Sequence, residues 1–129
     1  PVLAAPNTGE PMLLYIAATQ QVVSAVLVVE READGHKFPL QKPVYYVSTV
    51  LTPCKSRYPH YQKIAYAVFM ASRKLRHYFQ ECSITVASEV PLNDIINNRN
   101  ATGRFAKWAI ELLPFDITYK PRRAIKSQV

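Results

Sequence analysis

A chain of 129 residues with 49% hydrophobic and 19% charged side chains has the size and composition of one globular domain with one core, which excludes a disordered polymer and a chain of several domains. No apolar run approaches the roughly 20 residues that a membrane-spanning helix needs, so no membrane partner is expected. The 16 Lys and Arg against 9 Asp and Glu give a net charge of +7, which favours an anionic partner without specifying one.

Residues 1–11 (PVLAAPNTGEP) hold three prolines and a glycine and are expected to run extended as a leading linker. The stretches 12–19 (MLLYIAAT) and 22–31 (VVSAVLVVER) are rich in β-branched and large apolar residues around a Gln20-Gln21 connection, and predict an antiparallel hairpin. Asp34-Gly35 is a turn signal, and 42–48 (KPVYYVS) predicts a third strand, with Pro43 near its start. The polar, proline-bearing loop 51–60 leads to the longest helical pattern, 61–80 (YQKIAYAVFMASRKLRHYFQ), read as one unbroken helix. Ile64, Ala65, Val68, Ser72, Leu75 and Phe79 recur there at spacings of three and four, and its first half reads as buried nearly all round. Its basic end, Arg73, Lys74, Arg76 and His77, is either a solvated face or part of a surface for an anionic partner.

Beyond it, 83–88 (SITVAS) predicts a strand, 91–96 (PLNDII) a brief helix, 97–103 a loop, and 104–113 (RFAKWAIELL) a second helix with Phe105, Trp108, Ala109 and Leu112 on one face. A last strand follows at 116–119 (DITY), then a basic exit, 121–126 (PRRAIK). Three consecutive strands followed by alternating helices and strands imply an α/β mixed sheet of five strands, an antiparallel meander and then two parallel strands, with helices packed on it. The domain is placed at 12–120, between the linker 1–11 and the exit segment 121–129. Cys54 and Cys82 are expected to be free thiols in a reducing, intracellular compartment, and together with His60 and His77 they lack the local spacing of a zinc site, so no metal is assigned there. The start at Pro1 and the stop at Val129 are what a segment of a longer polypeptide would show.

The motif series resembles the RNase H domain of gypsy-type LTR retrotransposon polyproteins, closest to plant elements. Ser24-Ala25-Val26-Leu27 stands where that family has Gly-Ala-Val-Leu in its opening hairpin, residues 42–48 resemble its third strand, 57–79 its long helix, and Pro91-Leu92 and 104–108 its later landmarks. The resemblance implies an RNase H-like fold. In active members it also implies a two-metal mechanism, in which clustered carboxylates hold two magnesium ions about 4 Å apart to cut the RNA of an RNA–DNA hybrid. The family's acid positions match Ala17, Ile64 (or Gln62 in a shifted register) and Glu89, and a fourth would lie beyond Val129. Neither alanine nor isoleucine can ligate a hard cation, so no catalytic residue, metal or other cofactor is assigned.

The leading expectation is a catalytically inactive connection or tether domain between a reverse transcriptase and a downstream RNase H of the same polyprotein, in the cytoplasm or a virus-like particle. It would position RNA–DNA or DNA duplex through Arg99, Arg104, Lys107, Arg122, Arg123 and Lys126, because phosphate neutralisation needs lysine or arginine and these follow one another from the second helix to the exit. Trp108 and Phe105 sit at core spacing rather than on a base-stacking surface. One alternative is a working ribonuclease H that recruits Glu89, Glu111 or Asp116. The other is a protein-interaction or dimerisation module using Tyr45, Tyr46, Tyr58 and Tyr61.

Overall fold

The computed structural model describes residues 7, 9–31, 35, 40–92 and 104–121, with backbone only at 104 and 105. Strict alternation of Met12, Leu14 and Ile16 with Leu13, Tyr15 and Ala17 makes Met12–Ala18 a strand (β1) with one fully buried face. It turns through residues 19–21 into β2, Val22–Arg31, where the Thr19 hydroxyl accepts the Val22 amide at 3.1 Å and the Thr19 amide donates to the Val22 carbonyl at 2.8 Å. The third strand, β3, runs Leu40–Val50, longer than expected from residues 42–48. Pro43 is tolerated inside it because the β2–β3 register shifts between Leu27 and Val28, so that Val28 faces Pro43 while Leu27 faces Tyr45. Gly35, in the anticipated turn, takes φ +82°.

The expected five-stranded mixed sheet is observed, in the order β3-β2-β1-β4-β5. Here β4 is Ile84–Ser88 and β5 is Ile117–Pro121. The first three strands are antiparallel, whereas β4 is parallel to both β1 and β5. Among the described residues four helices accompany it: α1, Pro53–Ser56; α2, His60–Lys74; α3, Arg76–Glu81; and α4, Arg104–Leu112. One core forms where Ile64, Val68, Phe79, Trp108 and Leu112 meet Met12, Leu14, Ile16 and Leu27 from the sheet. Burial of apolar area on this face is the main driving force for the fold.

Two expectations need correction. The loop 51–60 contains α1, whose first turn is set by Pro53 and capped by the Thr52 hydroxyl accepting the Lys55 amide at 3.3 Å. The long helix is also not continuous: Leu75 (φ −113°, ψ 34°) separates α2 from α3. No proline or glycine lies within four residues of Leu75, and the break answers a packing demand. It re-aims α3 so that Phe79 enters the core at 1% exposure and meets Phe115 edge-on at 5.7 Å. The anticipated helix 91–96 lies outside the described residues after Leu92, and the exit lies outside them after Pro121.

Both cysteines are free, with Cys54 exposed and Cys82 half-buried, and burial pushes the Cys82 thiol pKa up. At the start of the domain Glu10 makes a two-pronged ion pair with Arg31, both contacts at 3.0 Å, and also accepts the Asn7 amide. The Arg31 guanidinium holds the Glu10 carboxyl down at about 2.

Candidate functional site

Because β1 and β4 are parallel, their C-terminal ends open on the same side of the sheet. Tyr15 pairs with Ala87, and continuing that register by two residues sets Ala17 level with Glu89. Ala17 is an exposed methyl at the end of β1. Glu89 is exposed just past β4, where the Ser88 hydroxyl donates to the Val90 carbonyl at 2.7 Å and closes the turn. Ile64 is 1% exposed and belongs to the apolar cluster, one helical layer above β1, while Gln62 is half-buried. The three positions therefore offer two alkyl groups and one carboxylate. That set does not fit a pair of hard divalent cations, which need several oxygen donors around each ion. Among the described residues no group of three His, Cys, Asp or Glu could hold a metal.

Lys63 was not foreseen as part of this end of the sheet. It is 7% exposed, and its ammonium donates to the main-chain carbonyls of Gln20 at 2.9 Å and Thr19 at 3.4 Å, in the turn that begins two residues after Ala17. A lysine is rarely this buried unless its charge is satisfied, and here peptide oxygens do it. The only sequence signal was its place inside the half of the helix that reads as buried all round, which a periodicity count of apolar residues passes over. Lys63→Met, which keeps the volume but removes both contacts, should lower stability by about 1.5–3 kcal/mol. Equilibrium urea unfolding would measure this, and an unchanged midpoint would mean that the amine is not tied to the turn.

The acids proposed for a rearranged site are not brought together. Glu111 is engaged by Arg73 through contacts of 2.9, 3.1 and 3.2 Å. Asp116 lies before β5 and accepts the Ser83 hydroxyl at 2.6 Å. Since β4 and β5 are parallel, Asp116 and Glu89 sit at opposite ends of the sheet, roughly 20 Å apart at a strand rise of about 3.3 Å per residue.

Of the expected phosphate contacts, Lys107 is exposed on α4, and Arg104 begins that helix, its side chain lying outside the described residues. Arg99, Arg122, Arg123 and Lys126 also lie outside them. Trp108 is core, as its spacing suggested, stacked on Phe69 at 5.8 Å and tilted against Tyr66 at 5.7 Å. The tyrosines differ in their surroundings. Tyr45 packs against the core, Tyr46 on the opposite sheet face is 55% exposed, Tyr58 meets Trp108 at 6.4 Å, and Tyr61 is exposed on α2.

The family model described as the RNase H-like domain found in reverse transcriptase matches residues 7–115. No curated protein sequence matches the chain. Among solved structures, the foamy viral protease-reverse transcriptase in complex with dsDNA superposes with a TM-score of 0.68 at 17% identity, over 95% of this chain and 25% of that one. The same viral protein in complex with RNA/DNA hybrid gives 0.66 at 17% identity, over 92% and 16%. RNase H1 from the halophilic archaeon Halobacterium salinarum gives 0.52 at 20% identity, over 87% and 86%. The chain thus spans a quarter or less of the foamy viral chains it resembles.

Proposed function

The chain belongs to the family of RNase H-like domains found in reverse transcriptase, and from that premise we propose that it is a non-catalytic connection domain that helps position a nucleic-acid duplex. The observation that carries this reading is the open end of β1 and β4, where a methyl group stands level with one carboxylate and the helix above supplies a buried isoleucine. An environment with one acid, and with the Lys63 ammonium in the adjoining turn, disfavours the close approach of two divalent cations by charge as well as by donor count. The residues of this chain would act by holding phosphates and by spacing the neighbouring domains.

The foamy viral relatives were solved with dsDNA and with RNA/DNA hybrid, which makes a duplex the partner of choice. Net charge of +7 and the exposed Lys107 support backbone contacts, with Arg99, Arg104, Arg122, Arg123 and Lys126 as further candidates. We place the domain inside a polyprotein of a plant gypsy-type LTR element, working within the cell between a reverse transcriptase and a downstream RNase H.

With labelled RNA–DNA hybrid and excess manganese the expected outcome is no cleavage above buffer. Fluorescence anisotropy across a salt series should show binding that weakens steeply with salt, with Lys107→Ala lowering the log–log slope by about one. Cleavage that disappears in Glu89→Ala would overturn the proposal, because it would require a metal site assembled around that carboxylate.

A further inference from the structure

The basic end of the long helical pattern is not used by the reading above, yet the break at Leu75 gives it a definite geometry. Where α2 passes into α3, a groove of about 630 Å³ opens against the end of α4, bordered by Arg73, Arg76, Gln80, Glu111, Pro114 and Phe115. Arg73 is immobilised in its wall: its guanidinium lies 4.6 Å over the Phe69 ring and is held by both oxygens of Glu111. That pair neutralises itself. Arg76 is exposed and has no ion-pair partner among the described residues, and Gln80 follows it by one helical turn, so both reach the same groove. Lys107 stands one turn before Glu111 on α4. Arg73 chiefly, and then Lys107 and Arg76, hold the Glu111 carboxyl below the usual range, so all three cations act on this spot against one acid.

We propose that this groove binds a phosphodiester of a nucleic-acid strand, with Arg76 as the anchoring cation, Gln80 as a second donor, and the flank of Phe115 against the sugar or base. The inference rests on the duplex reading and adds a contact site to it. A volume of about 630 Å³ lies within the range that holds one nucleotide-sized ligand. A planar guanidinium with its donors uncommitted matches two phosphate oxygens better than an ammonium does. Arg76 on α3 and Lys107 on α4 both act on the Glu111 carboxyl, so a strand with repeating charges can engage both of these cations.

The test uses the full 129-residue chain. Amide chemical shifts are followed on adding the dinucleotide pTpT, and duplex binding is measured by anisotropy for the wild type, Arg76→Ala, Arg76→Lys and Lys107→Ala. Expected are shifts at residues 72–80 and 111–115 that are lost in Arg76→Ala, about a five-fold weaker duplex affinity with a salt slope reduced by about one, and partial recovery in Arg76→Lys. If Arg76→Ala binds duplex like the wild type while Lys107→Ala does not, and pTpT leaves the groove unshifted, the groove proposal falls and the duplex reading stands. Groove shifts with pTpT in a chain that binds no duplex would sink the duplex reading and retain the phosphodiester site. Hexaglutamate producing the same shifts at equal or lower concentration would overturn the assignment in favour of an acidic protein partner.

Discussion

Trp108→Ala should lower the unfolding free energy by about 3–5 kcal/mol. Trp108 is 6% exposed and is the hinge pin between α4 and α2: it stacks on Phe69 with an interplanar angle of 28° and tilts against Tyr66 and Tyr58 at 52° and 57°. Aromatic contacts of this kind contribute beyond their buried area, and truncation leaves a void that the neighbouring rings cannot fill without losing one another. Among the described side chains of α4 Leu112 is the other buried large one, while Ile110 is 65% exposed and Leu113, just past the helix, 76%. For a domain whose total stability is about 5–15 kcal/mol the change is severe, and Trp108→Phe, which keeps a ring, provides a folded comparison. The chain has a single tryptophan, so the wild type reports unfolding by fluorescence and the variants are followed by circular dichroism. A loss below about 1 kcal/mol would show that α4 is not docked through this side chain. Lys107 and Glu111 would then not be fixed in the way both functional readings require.

Ile64→Glu places an acid at a position that the sequence resemblance matches to a family acid, and it is expected to destabilise the domain. Ile64 is 1% exposed among Leu, Val and Phe side chains, so an introduced carboxylate loses its hydration and finds no donor in the surrounding apolar cluster. The cost of an unpaired buried charge is about 3–5 kcal/mol, added to the lost packing of the isoleucine. The sign of the pH effect follows from linkage. Burial raises the folded-state pKa of the introduced carboxyl above its unfolded value of about 4.3, so the unfolded state releases its proton first. The deficit against wild type is therefore smallest below about pH 4 and grows as pH rises toward neutrality. Melting temperatures of both proteins from pH 3.5 to 7.5 would show this. A deficit independent of pH, or manganese binding by the variant, would mean that position 64 borders a polar pocket.

The expected cost of Ile64→Glu has a plain cause. An acid constellation needs several carboxylates together with the space and donors that keep them hydrated, and Ile64 lies inside the apolar cluster. Adding Ala17→Asp at the same time would place a carboxylate at the exposed end of β1 but would leave position 64 on α2 inside the hydrophobic layer.

Much of this architecture was legible in the amino-acid order, because alternation and helical spacing are local signals. The hairpin at Met12–Ala18 and Val22–Arg31, the strand at Ile84–Ser88 and the helix Arg104–Leu112 are found within a residue or two of where periodicity put them. The mixed topology followed from element order alone, since consecutive strands form meanders and strands separated by helices run parallel. The identities Ala17, Ile64 and Glu89 are likewise properties of the chain, and so is the count of oxygen ligands they can offer. Only the tertiary structure decided that Leu75 leaves the helical conformation, that Lys63 turns inward to the Thr19 and Gln20 carbonyls, and that Glu111 is engaged by Arg73. Each of these depends on residues 38–44 positions apart in sequence or on a packing demand from Phe79 and Phe115, and a period of 2 or 3.6 carries no information about such partners. The groove beside Arg76 exists for the same reason: its basic residues could be read from the sequence, but its walls are made when α3 bends away from α2 and α4 closes against them.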